Sequence, residues 1–139
     1  PIRLLVNEKH PLAQKESVTI EDLQGEPMFI ESSQFHIYHL IVEKCEKAGF
    51  EPDIIFQTSG FSLCHKMVKA NKGISVAVDF IYDDMREDGM KLIPFSDGRY
   101  EWKACMITRR DEEENEGVQC FRKHVQEWLQ KIRSGEITR

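Results

Sequence analysis

The sequence predicts an α/β fold whose mixed, mostly parallel sheet is flanked by helices. Three observations predict it. Short apolar runs alternate with segments of helical periodicity three times between residues 28 and 89, the connections are short, and a later strand leaves the series. Strands that alternate with helices across short loops pair in parallel through right-handed crossovers.

Each element has its own signal. Ile2-Arg3-Leu4-Leu5-Val6 reads as a strand, and Pro11 ends the regular structure that follows it. Thr19-Ile20-Glu21-Asp22 sets a hydroxyl three residues ahead of a carboxylate, a capping-box start for a one-turn helix closed by Gly25 and Pro27. Met28-Phe29-Ile30 is the next strand; Ile37, Leu40, Ile41, Cys45 and Ala48 then recur at helical spacing until Gly49. The second unit has Ile54-Ile55-Phe56 at the centre of a strand over 53–58, then Phe61, Cys64, Met67, Val68 and Asn71 on one helical face. The third is the strand from Ile74 to Val78 and a short helix opened by Phe80-Ile81 and ended by Gly89. Residues 90–94 form a further strand, Asp97-Gly98 a turn, and Tyr100 to Thr108 a longer strand. Arg109 to Glu116 reads as a solvated charged connector. Val118, Phe121, Val125, Trp128, Leu129 and Ile132 form an apolar stripe on a last helix, which must bury it against something.

Composition narrows the function. At 139 residues, 40% hydrophobic and 31% charged, the chain can bury one sizeable core. A net charge of −5 argues against a surface that tracks phosphates, so this piece is not expected to bind DNA by itself. No apolar run approaches the roughly 20 residues that span a bilayer, and no secretory leader opens the sequence, so a soluble cytoplasmic protein with no membrane partner is expected. Cys45, Cys64, Cys105 and Cys120 are scattered without a Cys-x-x-Cys pair and read as small buried hydrophobes.

In open α/β sheets ligands bind beyond the carboxyl ends of the strands, where helix starts offer free N–H groups. The turns to inspect are Glu31-Ser32-Ser33-Gln34-Phe35-His36, Thr58-Ser59-Gly60 and Val78-Asp79. Hydroxyls, amides and helix-dipole positive ends in the first two suit a small carboxylate, whereas Asp79 opposes an anion close to it. Ser33, Ser59 and Asp79 also suit plain helix capping. His36 with His39, and Cys64 with His65, lack the further ligands a zinc site needs. The helical phase of Cys64 sets it on an apolar face, against a nucleophile, and phosphate-binding glycine motifs and Gly-x-Ser-x-Gly are missing. No catalytic residue, metal or cofactor is assigned.

Four segments carry a family resemblance: His10-Pro11-Leu12-Ala13; Asp22-Leu23 with Glu26-Pro27-Met28-Phe29-Ile30; Ala48-Gly49-Phe50-Glu51-Pro52; and Val68-Lys69-Ala70-Asn71-Lys72-Gly73-Ile74-Ser75. In order and spacing, over residues 2–133, they resemble the effector-binding domain of LysR-type transcriptional regulators. Asn71 stands where the family usually has Gly, and Val78, followed by Asp79, where it commonly has Pro. No cysteine pair here matches the spacing of the peroxide-sensing members.

The resemblance implies a small-molecule-sensing module with two α/β lobes around a cleft, like one lobe of a type 2 periplasmic binding protein together with its hinge. Residues 1–98 would be the second lobe with its leading hinge strand, and 99–139 the returning hinge strand and a helix of the first lobe. Ser32, Ser33, Gln34, Phe35, His36, Thr58, Ser59 and Val78 would line the ligand edge. The implied partners are a small effector such as a carboxylate, further copies of the chain as a homo-oligomer, and DNA only through an N-terminal winged helix-turn-helix absent from this sequence. A stand-alone solute-binding or small α/β enzyme domain is the alternative. A helix-turn-helix upstream in the same reading frame would decide for the regulator, a secretory signal for solute binding.

Overall fold

The structure is a computed structural model that describes residues 1–85, 87–103, 105–107, 109 and 115–135. The chain divides into two compact units, Pro1–Lys103 and Ala104–Arg139. In the first, β1 (Ile2–Asn7), β2 (Met28–Glu31), β3 (Ile54–Thr58), β4 (Ser75–Val78) and β5 (Met90–Ile93) alternate with α1 (His36–Lys47), α2 (Phe61–Lys69) and α3 (Asp79–Asp84). The second carries α4 (Glu116–Ser134).

Strand β1 lies between β4 and β5 and is antiparallel to both, with Ile2 opposite Val78 and Leu4 opposite Ile93. β2 pairs in parallel with β3, and a single parallel bridge, Met28 to Ile74, joins β2 to β4. Four strands therefore run one way and β1 the other, the mixed and mostly parallel arrangement expected. The carboxyl ends of β2, β3 and β4 and the start of β1 share one edge of the sheet.

Alternation along the strands sorts side chains to two faces. Leu4, Val6, Met28, Ile30, Val76 and Ile93 pack with Ile37, Ile41 and Cys45 of α1 in the main core, whereas Leu5 and Ala77 pack with Val68 of α2 and Tyr82 of α3. Local chemistry fixes the connections. The His10 ring accepts from Leu12 N–H at the 3-10 turn Pro11–Gln14, and the Asp22 carboxylate accepts from Thr19 N–H at 3.0 Å, as the capping box requires. Asn71 takes the left-handed conformation, φ 53°, that the family's glycine would supply. Gly73 runs so close to β2 that a Cβ there would stand 2.2 Å from the Pro27 carbonyl oxygen.

Three expectations are corrected. Tyr100–Lys103 and residues 105–107 form no strand. β5 occupies the open edge of β1 from Leu4 onward, so Tyr100 keeps only the bond its carbonyl accepts from Ile2 N–H, at 2.8 Å. Tyr100 is instead held by side-chain contacts: it stacks on Phe95 with ring centroids 4.0 Å apart and donates to Asp97 at 2.9 Å. Helix α4 forms as its stripe predicts, capped by Asn115 and ended by left-handed Gly135, but none of its residues is buried, and Phe121 and Trp128 are exposed. Cys45 and Cys64 are buried as expected, but Cys105 and Cys120 are exposed. Most of the charged connector, residues 110–114, lies outside the described residues.

Candidate functional site

The first two inspected turns meet. Ser32 N–H donates to the Thr58 carbonyl at 2.8 Å, Thr58 Oγ1 accepts from Gly60 N–H at 3.2 Å, and Phe35 N–H donates to Ser32 carbonyl at 3.0 Å. Ser33, Gln34, His36 and Ser59 are exposed here, while Ser32, Phe35 and Thr58 are half-buried. The Ser33 carbonyl also lies 2.7 Å from His39 Nε2.

Capping does not explain these residues. The N-cap positions of α1, α2 and α3 are Phe35, Gly60 and Val78, and none carries a side-chain cap bond. Among the described residues the first N–H groups of α1 and α2 thus have no capping side chain, and the helix dipoles favour an anion beside them. Val78 brings only backbone to the edge, because its side chain is buried in the main core.

Two contributions were missed in the sequence. Asp79, read as opposing an anion, is balanced by Arg3 of β1: Nη2 donates to Oδ2 at 3.1 Å and Nε lies 2.7 Å from Oδ1, an ion-pair contact off the hydrogen-bond angle. An arginine at a period-two position of β1 was the available signal. The second is Glu31, which ends β2 at the foot of the first turn and is fully buried. Burial pushes its carboxyl up to about 7. Its signal was a carboxylate closing an apolar strand in phase with buried Phe29.

Two concavities lie elsewhere in this unit. One of about 310 Å³ is lined by Arg3, Phe95, Arg99, Tyr100 and Glu101. An apolar one of about 540 Å³ is lined by Phe29, Ile55, Phe56, Leu63 and Met67. Neither includes the turn at Ser32–His36.

Residues 1–130 match the LysR substrate binding domain. The chain belongs to that family. Among its relatives, the uncharacterized HTH-type transcriptional regulator YwbI of Bacillus subtilis is 29% identical over 128 residues, 92% of this chain and 42% of the relative. The HTH-type transcriptional regulator AlsR of the same organism is 34% identical over 77 residues, 54% of this chain and 26% of the relative. This LysR domain thus spans less than half the length of these relatives. In fold it is similar to the effector binding domain of QuiR in complex with shikimate, with a TM-score of 0.63 and 18% identity over 71% of this chain and 46% of that one. The BenM effector binding domain with its effector benzoate gives a TM-score of 0.61 and 22% identity over 69% and 45%. Both neighbours are effector-binding domains, and no helix among the described residues is long and apolar enough to cross a membrane.

Proposed function

We propose that this LysR domain senses a small carboxylate effector at the edge formed by Ser32, Ser33, Gln34, Phe35, His36, Thr58, Ser59 and the strand end at Val78. The observation that carries the reading is the pairing of two helix starts without side-chain caps at turns joined by the Ser32–Thr58 hydrogen bond. Backbone N–H groups and hydroxyls there can hold carboxylate oxygens, and half-buried Phe35 offers an apolar wall. Shikimate and benzoate, the ligands of the two structural neighbours, are both carboxylates. Residues 1–98 act as the second lobe with its leading hinge strand, and 99–139 as the returning hinge and a helix of the first lobe.

The module works by binding and not by catalysis, in the cytoplasm, within a homo-oligomer whose DNA contacts come from an N-terminal winged helix-turn-helix outside this sequence. Apolar side chains exposed on β3 (Ile55, Phe56) and on α4 (Phe121, Trp128, Leu129) favour self-association. The test places Ser33→Ala or Thr58→Ala in the full-length regulator and titrates effector against operator binding at equal protein level. A hydrogen bond to a charged ligand contributes about 1.5–3 kcal/mol, so the midpoint should rise roughly ten-fold or more. Unchanged midpoints for both would refute the site.

A further inference from the structure

The α2 face of the sheet holds a group that effector binding leaves unused. Glu31 is 0% exposed, and neither carboxyl oxygen meets a hydrogen-bond partner among the described residues. Buried polar groups are nearly always partnered, and a carboxylate stripped of water without a partner costs several kcal/mol. As the neutral acid it is tolerable there; as the anion it must find water.

What surrounds Glu31 offers no counter-charge. From α2 comes Cys64, a thiol pushed up to about 12 mainly by burial and then by Glu31 itself. The next residue, His65, lies toward Tyr82 with ring centroids 6.2 Å apart, and burial lowers its imidazole, which keeps it neutral at pH 7. β4 supplies Ser75 and Ala77, and β3 carries no titratable residue. Arg3 of β1 is engaged by Asp79. The charged residues of α1 belong to a helix packed on the opposite face, through Ile37, Ile41 and Cys45.

The position of Glu31 connects it to both turns. Among the described residues β2 meets the start of β4 at a single bridge, Met28–Ile74, and beyond it β4 pairs with β1 while the end of β2 pairs with β3 alone. Glu31 is opposite Thr58 in the β2–β3 register, and the next residue donates the Ser32–Thr58 bond. A carboxylate leaving the core would carry the end of β2 with it and strain that bond.

We propose that Glu31 is a proton-operated control on the effector turns: the neutral acid stays packed beneath them, and the carboxylate, having given its proton to bulk water, loosens the Ser32–Thr58 junction. This rests on the reading of those turns as the effector edge, although the proton-driven change needs no ligand. The device would make effector response fall as pH rises through neutrality.

The experiment is a titration of the full chain, labelled with 13C at glutamate carboxyls and 15N at amides, from pH 5 to 9, for wild type and Glu31→Gln. One glutamate carboxyl should titrate near pH 7 and be missing from the variant. The amides of Ser32, Ser33 and Ser59 should titrate with the same midpoint in wild type only, with the protection of Ser32 from hydrogen exchange, corrected for the base-catalysed intrinsic rate, falling at least roughly ten-fold on the alkaline side. All glutamates titrating in the ordinary range would overturn the proposal. So would amide titrations that persist in Glu31→Gln, which would assign them to a group other than Glu31. Should the variant not fold, the wild-type carboxyl midpoint and Ser32 exchange still decide. Unchanged operator midpoints for Ser33→Ala and Thr58→Ala would defeat the effector reading while leaving this titration intact.

Discussion

Toward α1 the sheet presents Leu4, Val6, Ile30, Val76 and Ile93, all apolar and all within 1% of full burial, whereas toward α2 it presents Leu5 and Ala77 beside Asn7, Glu31 and Ser75. With His65 of α2, these are the buried polar residues of the described chain, and they share one face. The apolar face can be understood from packing alone. On the polar face each group must find a partner or carry a desolvation cost, and a cost retained at the foot of two joined strand-to-helix turns points to use rather than to stability.

The comparison predicts that the largest loss comes from the α1 face. Ile41 is 0% exposed and sits between the sheet and the rest of the main core. Ile41→Ala should cost about 2–5 kcal/mol in urea unfolding, because the removed methyl groups lose their transfer energy and leave a cavity. The cost should not vary between pH 5 and 8. A loss below about 1 kcal/mol would mean that this face is not close-packed.

Glu31→Gln should go in the opposite direction, with a gap that opens as pH rises from about 4.5 to about 7 and stays constant above. Burial holds the folded carboxyl at about 7, above the 4.5 of an unburied group. For an acid raised in this way, the stability linked to the bound proton is fully present below the unfolded value and is lost as pH rises through the folded one. Wild type should therefore match Glu31→Gln near pH 4 and fall behind it by about 3 kcal/mol at pH 8.5, from about 1.4 kcal/mol per pKa unit. Denaturant midpoints across that range measure the gap, and a constant gap would remove Glu31 from the pH dependence.

The two faces were not equally legible in the sequence. Ile37, Ile41 and Cys45 recur at helical spacing, and Leu4 and Val6 alternate along a strand, so periodicity locates the apolar face. That the turns at Ser32–His36 and Thr58–Ser59 meet was also legible, because the order of strands and helices sets both at the carboxyl ends of neighbouring strands. What periodicity does not carry is pairing across the chain. Arg3 and Asp79 lie 76 residues apart, and nothing local links their charges. Tyr100–Thr108 alternates well enough to suggest a strand, but a strand needs a free edge, and β5 had taken it. The stripe on α4 predicted the helix correctly, whereas its burial depended on contacts that helical periodicity does not specify.

A satisfied polar group on the same face supplies the control. Asn7 ends β1 at 8% exposure; its Nδ2 donates to the Lys69 carbonyl at 2.7 Å and its Oδ1 accepts from Lys9 N–H at 2.9 Å. The first bond occupies one of the carbonyls that the end of α2 leaves open, and the second holds the turn that leads to His10. Asn7→Ala removes both and leaves Lys69 and Lys9 with half-buried groups to rehydrate. The expected loss is about 1–2 kcal/mol by urea unfolding, equal at pH 5 and 8.5, since nothing in these bonds titrates between them. If polarity as such burdened the α2 face, Asn7→Ala would stabilise the chain as Glu31→Gln does at high pH. Opposite signs for the two substitutions at pH 8.5 would show that the burden lies in the missing partner of Glu31, which a change in the turns above it could supply and withdraw.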